Sequence, residues 1–190
     1  MRAPVGQGKQ RLLDALFEEF GESGPSPNLS DRAIAERLGV HHTLLTYHFG
    51  SRGGLLAAVL AEARRRDNAA ILAGDREIGF IPLCMAIWQR YAGDEHGERA
   101  RAFFQVVGIA ASERDGLPQI LGDTIGELMN ELEAAALRDG YTPAAAKYQS
   151  VIVVACLRGL LLQRLVTPDA DVSAAAERFI TSLTPPPPER

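Results

Sequence analysis

Apolar side chains recur every three to four residues along almost the whole chain, and clusters of Gly, Pro and Asp cut that pattern into segments. A repeat of 3.6 residues puts such side chains on one helix face, whereas a half-buried strand needs strict alternation. No segment defends a strand, so the pattern predicts an all-α fold of about nine helices. Leu12, Leu13, Leu16, Phe17 and Phe20 make one face of a first helix ending near Gly21. After the turn-rich stretch GESGPSPN, Ser30 is an N-cap for a short helix carrying Ala33, Ile34, Ala35 and Leu38, closed by Gly39. A third short helix spans about His42 to His48. The fourth, with Ser51 as its N-cap, runs to about Leu72. Gly53 and Gly54 weaken its start by about 1 kcal/mol each relative to alanine, which predicts an easily moved junction.

Longer helices follow. They run from Pro82 to about Ala92, Glu98 to about Ser112, Pro118 to Arg138, Pro143 to about Val166, and Val172 to Leu183. The closing TPPPPER cannot continue a helix and predicts a Pro-rich flexible tail over 184–190.

The 190 residues, 46% apolar and 23% charged, suffice to bury a core. No run of about 18 apolar residues occurs, which argues against a membrane span. The charged start, MRAPVGQGKQRLLDALFEEF, does not read as a signal peptide and predicts a cytoplasmic protein. Cys84 and Cys156 lie far apart within apolar helical patterns, as buried thiols rather than a disulfide or a zinc pair. The net charge of −4 is unevenly spread: residues 1–66 carry +2 and the remainder −6. A polyanionic partner is therefore admissible at the N-terminal end only.

Two short helices joined by a tight glycine turn form a helix-turn-helix, whose second helix can enter a DNA major groove. Ile34, Ala35, Leu38, Val40, Leu45 and Phe49 supply a small core with the first helix. The outward face of the third helix is then His41, His42, Thr43, Thr46 and Tyr47, with Leu44 at its margin. That face is polar, aromatic and free of acidic residues. Metal binding is a poor alternative for the histidines: His41 and His42 diverge by about 100°, and His48 is six or seven residues further along. No metal site or other cofactor is expected.

Residues 29–60, LSDRAIAERLGVHHTLLTYHFGSRGGLLAAVL, resemble the DNA-binding signature of the tetracycline-repressor (TetR) family of bacterial transcription regulators. The family pattern is roughly T-x-R-x-I-A-x-x-x-G-V-S-x-x-x-L-Y-x-H-F-x-S-K-x-x-L. Arg32, Ile34, Ala35, Gly39, Val40, Leu45, His48, Phe49, Ser51 and Leu55 match it, and Arg52 stands in for the lysine. His41 replaces the usual serine and Thr46 the usual tyrosine, with Tyr47 one place later. The resemblance implies a helix-turn-helix DNA-binding domain over 1–51 and a larger ligand-binding and dimerisation domain over 52–183. It implies phosphate contacts for Arg32, Arg52, Tyr47 and His48, and base contacts for His42, Thr43, Leu44 and Thr46. His41 either caps the helix or touches phosphate. For His48 the alternative is a partly buried histidine that closes the small core.

The stretch AAAKYQSVIVVACLRGLLLQRLV is apolar on most of its circumference, so it must be covered on several sides. With the last helix, the resemblance makes it a homodimer interface; the bland alternative is an intrachain core helix. A small apolar or amphipathic effector is implied between the fifth and seventh helices, near Cys84, Met85, Trp88, Phe103, Phe104, Val107, Leu128 and Met129. The expected function is a repressor that grips a palindromic double-stranded DNA operator and is released by its effector. The alternatives are a regulator that answers to a protein partner, or a helical scaffold that binds protein. No nucleophile elbow, phosphate loop or catalytic carboxylate pair points to an enzyme.

Overall fold

The computed structural model of the chain describes residues 5–21, 24–26, 28–73, 77–93, 97–112, 117–167 and 169–184. Among them are nine helices and no strand: α1 (Val5–Phe20), α2 (Asp31–Arg37), α3 (His42–Phe49), α4 (Arg52–Leu72), α5 (Phe80–Ala92), α6 (Gly97–Ser112), α7 (Leu117–Arg138), α8 (Pro143–Val166) and α9 (Val172–Thr181). Of the Pro-rich tail expected over 184–190, residues 185–190 lie outside the described residues.

Local chemistry sets the helix ends. Ser30 Oγ accepts from the Ala33 N–H at 3.2 Å, and Ser51 Oγ from the Gly54 N–H at 3.1 Å. Thr142 caps α8 ahead of Pro143, and Asp171 caps α9. Gly39 ends α2 with φ +65°, the left-handed conformation that a Cβ disfavours. Its N–H reaches Glu36 O and the Val40 N–H reaches Ala35 O, so two orphan carbonyls are satisfied and the chain turns directly into α3.

The chain divides into two compact units, Met1–Arg66 with Arg101–Thr124, and Asp67–Ala100 with Ile125–Arg190. This division falls inside α4, between Arg66 and Asp67, whereas the division at 51/52 follows the motif. In the first unit Leu12, Leu13, Leu16, Phe17, Ile34, Ala35, Leu45, Phe49, Leu55, Ala58, Val59 and Ala63 form one buried cluster, with Leu38 and Val40 packed at its edge. The interior set expected of the helix-turn-helix is thus the interior set found.

Gly54 is more than a weak link at the start of α4. A Cβ there would sit 2.1 Å from the Phe49 carbonyl oxygen, so the glycine lets the end of α3 lie directly on α4. The expectation of a loosened junction is corrected at this position by close backbone packing.

In the second unit, α5 packs on α8 and α9. Phe80, Leu83, Cys84, Ile87 and Trp88 meet a core that includes Val153, Leu157, Leu161, Ala176 and Ile180. Asp67 is almost fully buried, yet it accepts from Arg90 Nη2 and from Arg99 Nη2, both at 2.6 Å. Helix α8 is long and apolar enough to cross a membrane by length and composition, with a mean hydropathy of 1.5 in its best window. The absence of an unbroken apolar run therefore did not exclude a membrane-length helix. The reason is that Lys147, Ser150 and Arg158 interrupt a segment that is apolar on most other positions.

Candidate nucleic-acid interface

Helix α3 stands on the first core through Leu45 and Phe49, which are 1% and 8% exposed. Burial of these two positions, four residues apart, turns the opposite arc of the helix outward. His41, Thr43, Thr46 and Tyr47 are exposed, as is Leu44 at the margin, while His42 and His48 are half-buried. Tyr47 is the most open of the large side chains on this surface, at 76%. Its ring meets His48 edge-on at 5.0 Å.

His41 is the N-cap of α3. Its Nδ1 accepts from the Thr43 N–H at 3.4 Å and lies 2.8 Å from Thr43 Oγ1. The His41 and His42 rings tilt against each other with centroids 4.5 Å apart. His48 reaches the opposite way, over the backbone of Gly8 in α1: a Cβ on that residue would come within 2.9 Å of His48 Cε1. Lys9 places its ammonium 5.6 Å from the centre of the Phe49 ring. No group of three or more potential metal ligands occurs among the described residues.

The two arginines expected at phosphate sit differently. Arg32 is exposed on α2. Arg52 donates to Asp31 Oδ1 at 2.8 Å, so the first residue of α4 is tied to the first residue of α2. This pairing was not visible in the spacing, because the partners are 21 residues apart. Farther from α3, Glu62 accepts from both Arg65 and Arg66, which hold its carboxyl down at about 2 despite the opposing effect of burial.

The residues implied in effector binding fall into both units. Cys84, Met85, Trp88, Leu128 and Met129 belong to the second; Phe103, Phe104 and Val107 belong to the first. Cys84 and Trp88 are buried, and Met85, Leu128 and Met129 are half-buried. Burial pushes the Cys84 thiol up to about 12, which suits an inert apolar contact and not a nucleophile. Phe103 meets Phe104 edge-on at 5.1 Å, and the Arg64 guanidinium covers the Phe103 ring at 4.5 Å. Sequence reasoning missed Arg64, Gly8 and the Asp67 cluster; the run RRRDN at 64–68 reads as a solvated face until the fold buries Asp67.

Residues 12–59, from α1 into α4, match the profile of bacterial regulatory proteins of the tetR family. That segment is a TetR-family DNA-binding domain. TetR-family proteins are DNA-binding transcription regulators, not enzymes. The HTH-type transcriptional regulatory protein RaaS of Mycobacterium tuberculosis is 40% identical over 75 residues, which cover 38% of this chain and 34% of that protein. The chain therefore aligns with about a third of the length of that relative. The multidrug binding protein EbrR, solved in complex with imidazole, superposes with a TM-score of 0.64 at 25% identity, over 99% of this chain and 100% of that one. A TetR-family member from Streptomyces coelicolor gives a TM-score of 0.60 at 25% identity, over 95% and 99% of the two chains. The nine-helix TetR fold accordingly extends over nearly the whole chain.

Proposed function

We propose that this chain is a TetR-family repressor that binds a palindromic operator as a homodimer and leaves it when a small apolar or amphipathic molecule binds. The observation that carries this reading is the outward face of α3: five exposed positions without an acidic side chain, held rigidly on a buried core. His42, Thr43, Leu44 and Thr46 face base edges, while Arg32, Tyr47, His48 and Arg52 contact phosphates. The phosphate contacts give affinity that weakens with salt; the base contacts give selectivity.

One such module covers too little DNA to be selective, and a two-fold dimer reads two half-sites about 34 Å apart. An exposed apolar stripe on α8 supports the dimer. Tyr148, Ile152 and Val166 are 67%, 50% and 66% exposed, with Val151 and Leu162 beside them. With the exposed Ala155 and Gly159 between Ile152 and Leu162, steps of three or four residues make one continuous helix face, and α9 neighbours it. The effector contacts are assigned to the apolar side chains of α5, α6 and α7 expected from the sequence. A bound effector shifts the population of dimer conformations and so lowers operator affinity. The drug-binding neighbour EbrR supports a small-molecule effector.

DNase footprinting of the region upstream of the gene tests this reading. The expected result is one protected, two-fold symmetric site. Ile152→Asp, which places a charge in the α8 stripe, is expected to yield monomers in ultracentrifugation and to abolish protection. An unprotected fragment, or full protection by a monomeric variant, contradicts the reading.

A further inference from the structure

The cap of α3 is a histidine, and the hydrogen bonds it makes fix more than the helix end. A backbone N–H can only donate, so the Thr43 N–H at 3.4 Å requires a lone pair on His41 Nδ1. The ring proton then resides on Nε2. Thr43 Oγ1 also lies 2.8 Å from that same Nδ1. In that tautomer the Thr43 hydroxyl is the donor in this contact, and its hydrogen is used up. The contact with the His42 ring at 4.5 Å holds the imidazole in place. Both His41 and Thr43 are exposed, so whatever polarity remains is presented outward.

A free threonine hydroxyl reads donors and acceptors alike, which makes it a poor discriminator between bases. Here the ambiguity is removed: Thr43 Oγ1 offers lone pairs alone, and His41 Nε2 offers a proton alone. In the major groove the exposed amino donors are adenine N6 and cytosine N4, whereas guanine N7 and O6 and thymine O4 only accept. We propose that the His41–Thr43 cap sets the hydrogen-bond polarity of the recognition face, making Thr43 an acceptor-only reader of an adenine or cytosine amino group and His41 a donor. The inference rests on α3 being the helix that enters the groove. His41 is on this view a positioning residue for Thr43.

Two measurements test it separately. Long-range 1H–15N NMR of the full chain without DNA reads the His41 tautomer: a proton on Nε2 is expected, and a proton on Nδ1 overturns the proposal. Selection from a random duplex library with the wild-type chain should then yield a half-site with adenine or cytosine at one fixed position. Thr43→Val and His41→Ala should each relax that position by about fivefold to tenfold, the worth of one hydrogen bond, and leave the others unchanged. Thr43→Ser, which keeps the hydroxyl, should restore the preference. A wild-type motif left unaltered at every position by Thr43→Val overturns the proposal while leaving operator binding intact. No wild-type motif at all contradicts the groove-binding reading itself. If His41→Ala fails to fold, the Thr43→Val and Thr43→Ser pair decides the matter.

Discussion

His48 of α3 lies against the backbone of Gly8 in α1, so close that a Cβ on residue 8 would stand 2.9 Å from Cε1 and 3.1 Å from Nε2 of the ring. The imidazole is thereby seated on the first helix, nearly perpendicular to the exposed ring of Tyr47. Gly8→Ala separates structure from binding at this contact. Alanine favours the helix interior by about 1 kcal/mol, and the ring can swing aside, so thermal stability should hold or rise. Operator affinity should fall several-fold because His48, and Tyr47 with it, leaves its seat. Thermal denaturation and a binding titration on the same preparation check this; unchanged affinity would show that the seat of His48 is immaterial to binding.

Gly54→Ala should behave in the opposite way. Its new Cβ meets a backbone oxygen, Phe49 O, at 2.1 Å, and neither helix end can move without disturbing Leu45 and Phe49 in the core. Overpacking of this kind costs about 1–3 kcal/mol, which exceeds the gain in helix propensity. Chemical denaturation should therefore show a loss of stability, and a more stable variant would mean that the contact is loose.

Asp67 joins Arg90 and Arg99 from a buried position, and the cost of removing one member of such a cluster is large. Asp67→Ala should destabilise the protein by about 3 kcal/mol, since two guanidiniums lose the carboxylate that joins them. For a chain of this size that lowers the melting temperature by roughly 6–12 °C, readable by circular dichroism. A shift under 2 °C, about what a surface pair gives, would count against the cluster.

Glu62 supplies a pH dependence with a definite sign. Arg65 and Arg66 lower its carboxyl from 4.5 to about 2, so folding is favoured by its ionised form. That contribution is complete above pH 5, declines as the pH falls through the interval from 4.5 to 2, and is lost below it. Arg65 is 61% exposed, and solvent screening limits the contribution to about 1–2 kcal/mol. Glu62→Gln should be less stable than wild type by that amount at pH 7, and the two should converge near pH 2. A constant difference across this range would contradict the assignment.

The helices and the first core were legible because their causes are local. Ser30, Ser51 and Thr142 announce helix starts three residues ahead of the N–H groups they receive, and Leu12, Leu16 and Phe17 mark a face by spacing alone. The contacts that give the candidate surface its geometry were not legible, since each joins residues far apart in sequence. Nothing in the sequence around Arg52 announces Asp31, 21 residues away, as its partner. Asp67 sat in a basic run that reads as solvated, and only its partners 23 and 32 residues away explain its burial. Gly54 was read as a weakness because a sequence displays the propensity of a glycine and not the carbonyl that rests on it. His41 shows both sides: capping was among its expected roles, whereas its hold on Thr43 needed the positions of three atoms.

Operator binding is tested most directly by a fluorescence-anisotropy titration of the full chain on a duplex from upstream of its gene, repeated at several salt concentrations and against unrelated duplex as competitor. Saturable binding is expected, with log K falling linearly in log salt and the unrelated duplex competing at least about a thousandfold more weakly. Equal competition by unrelated DNA, or no binding at low salt, would contradict the assignment of α3 as a recognition helix.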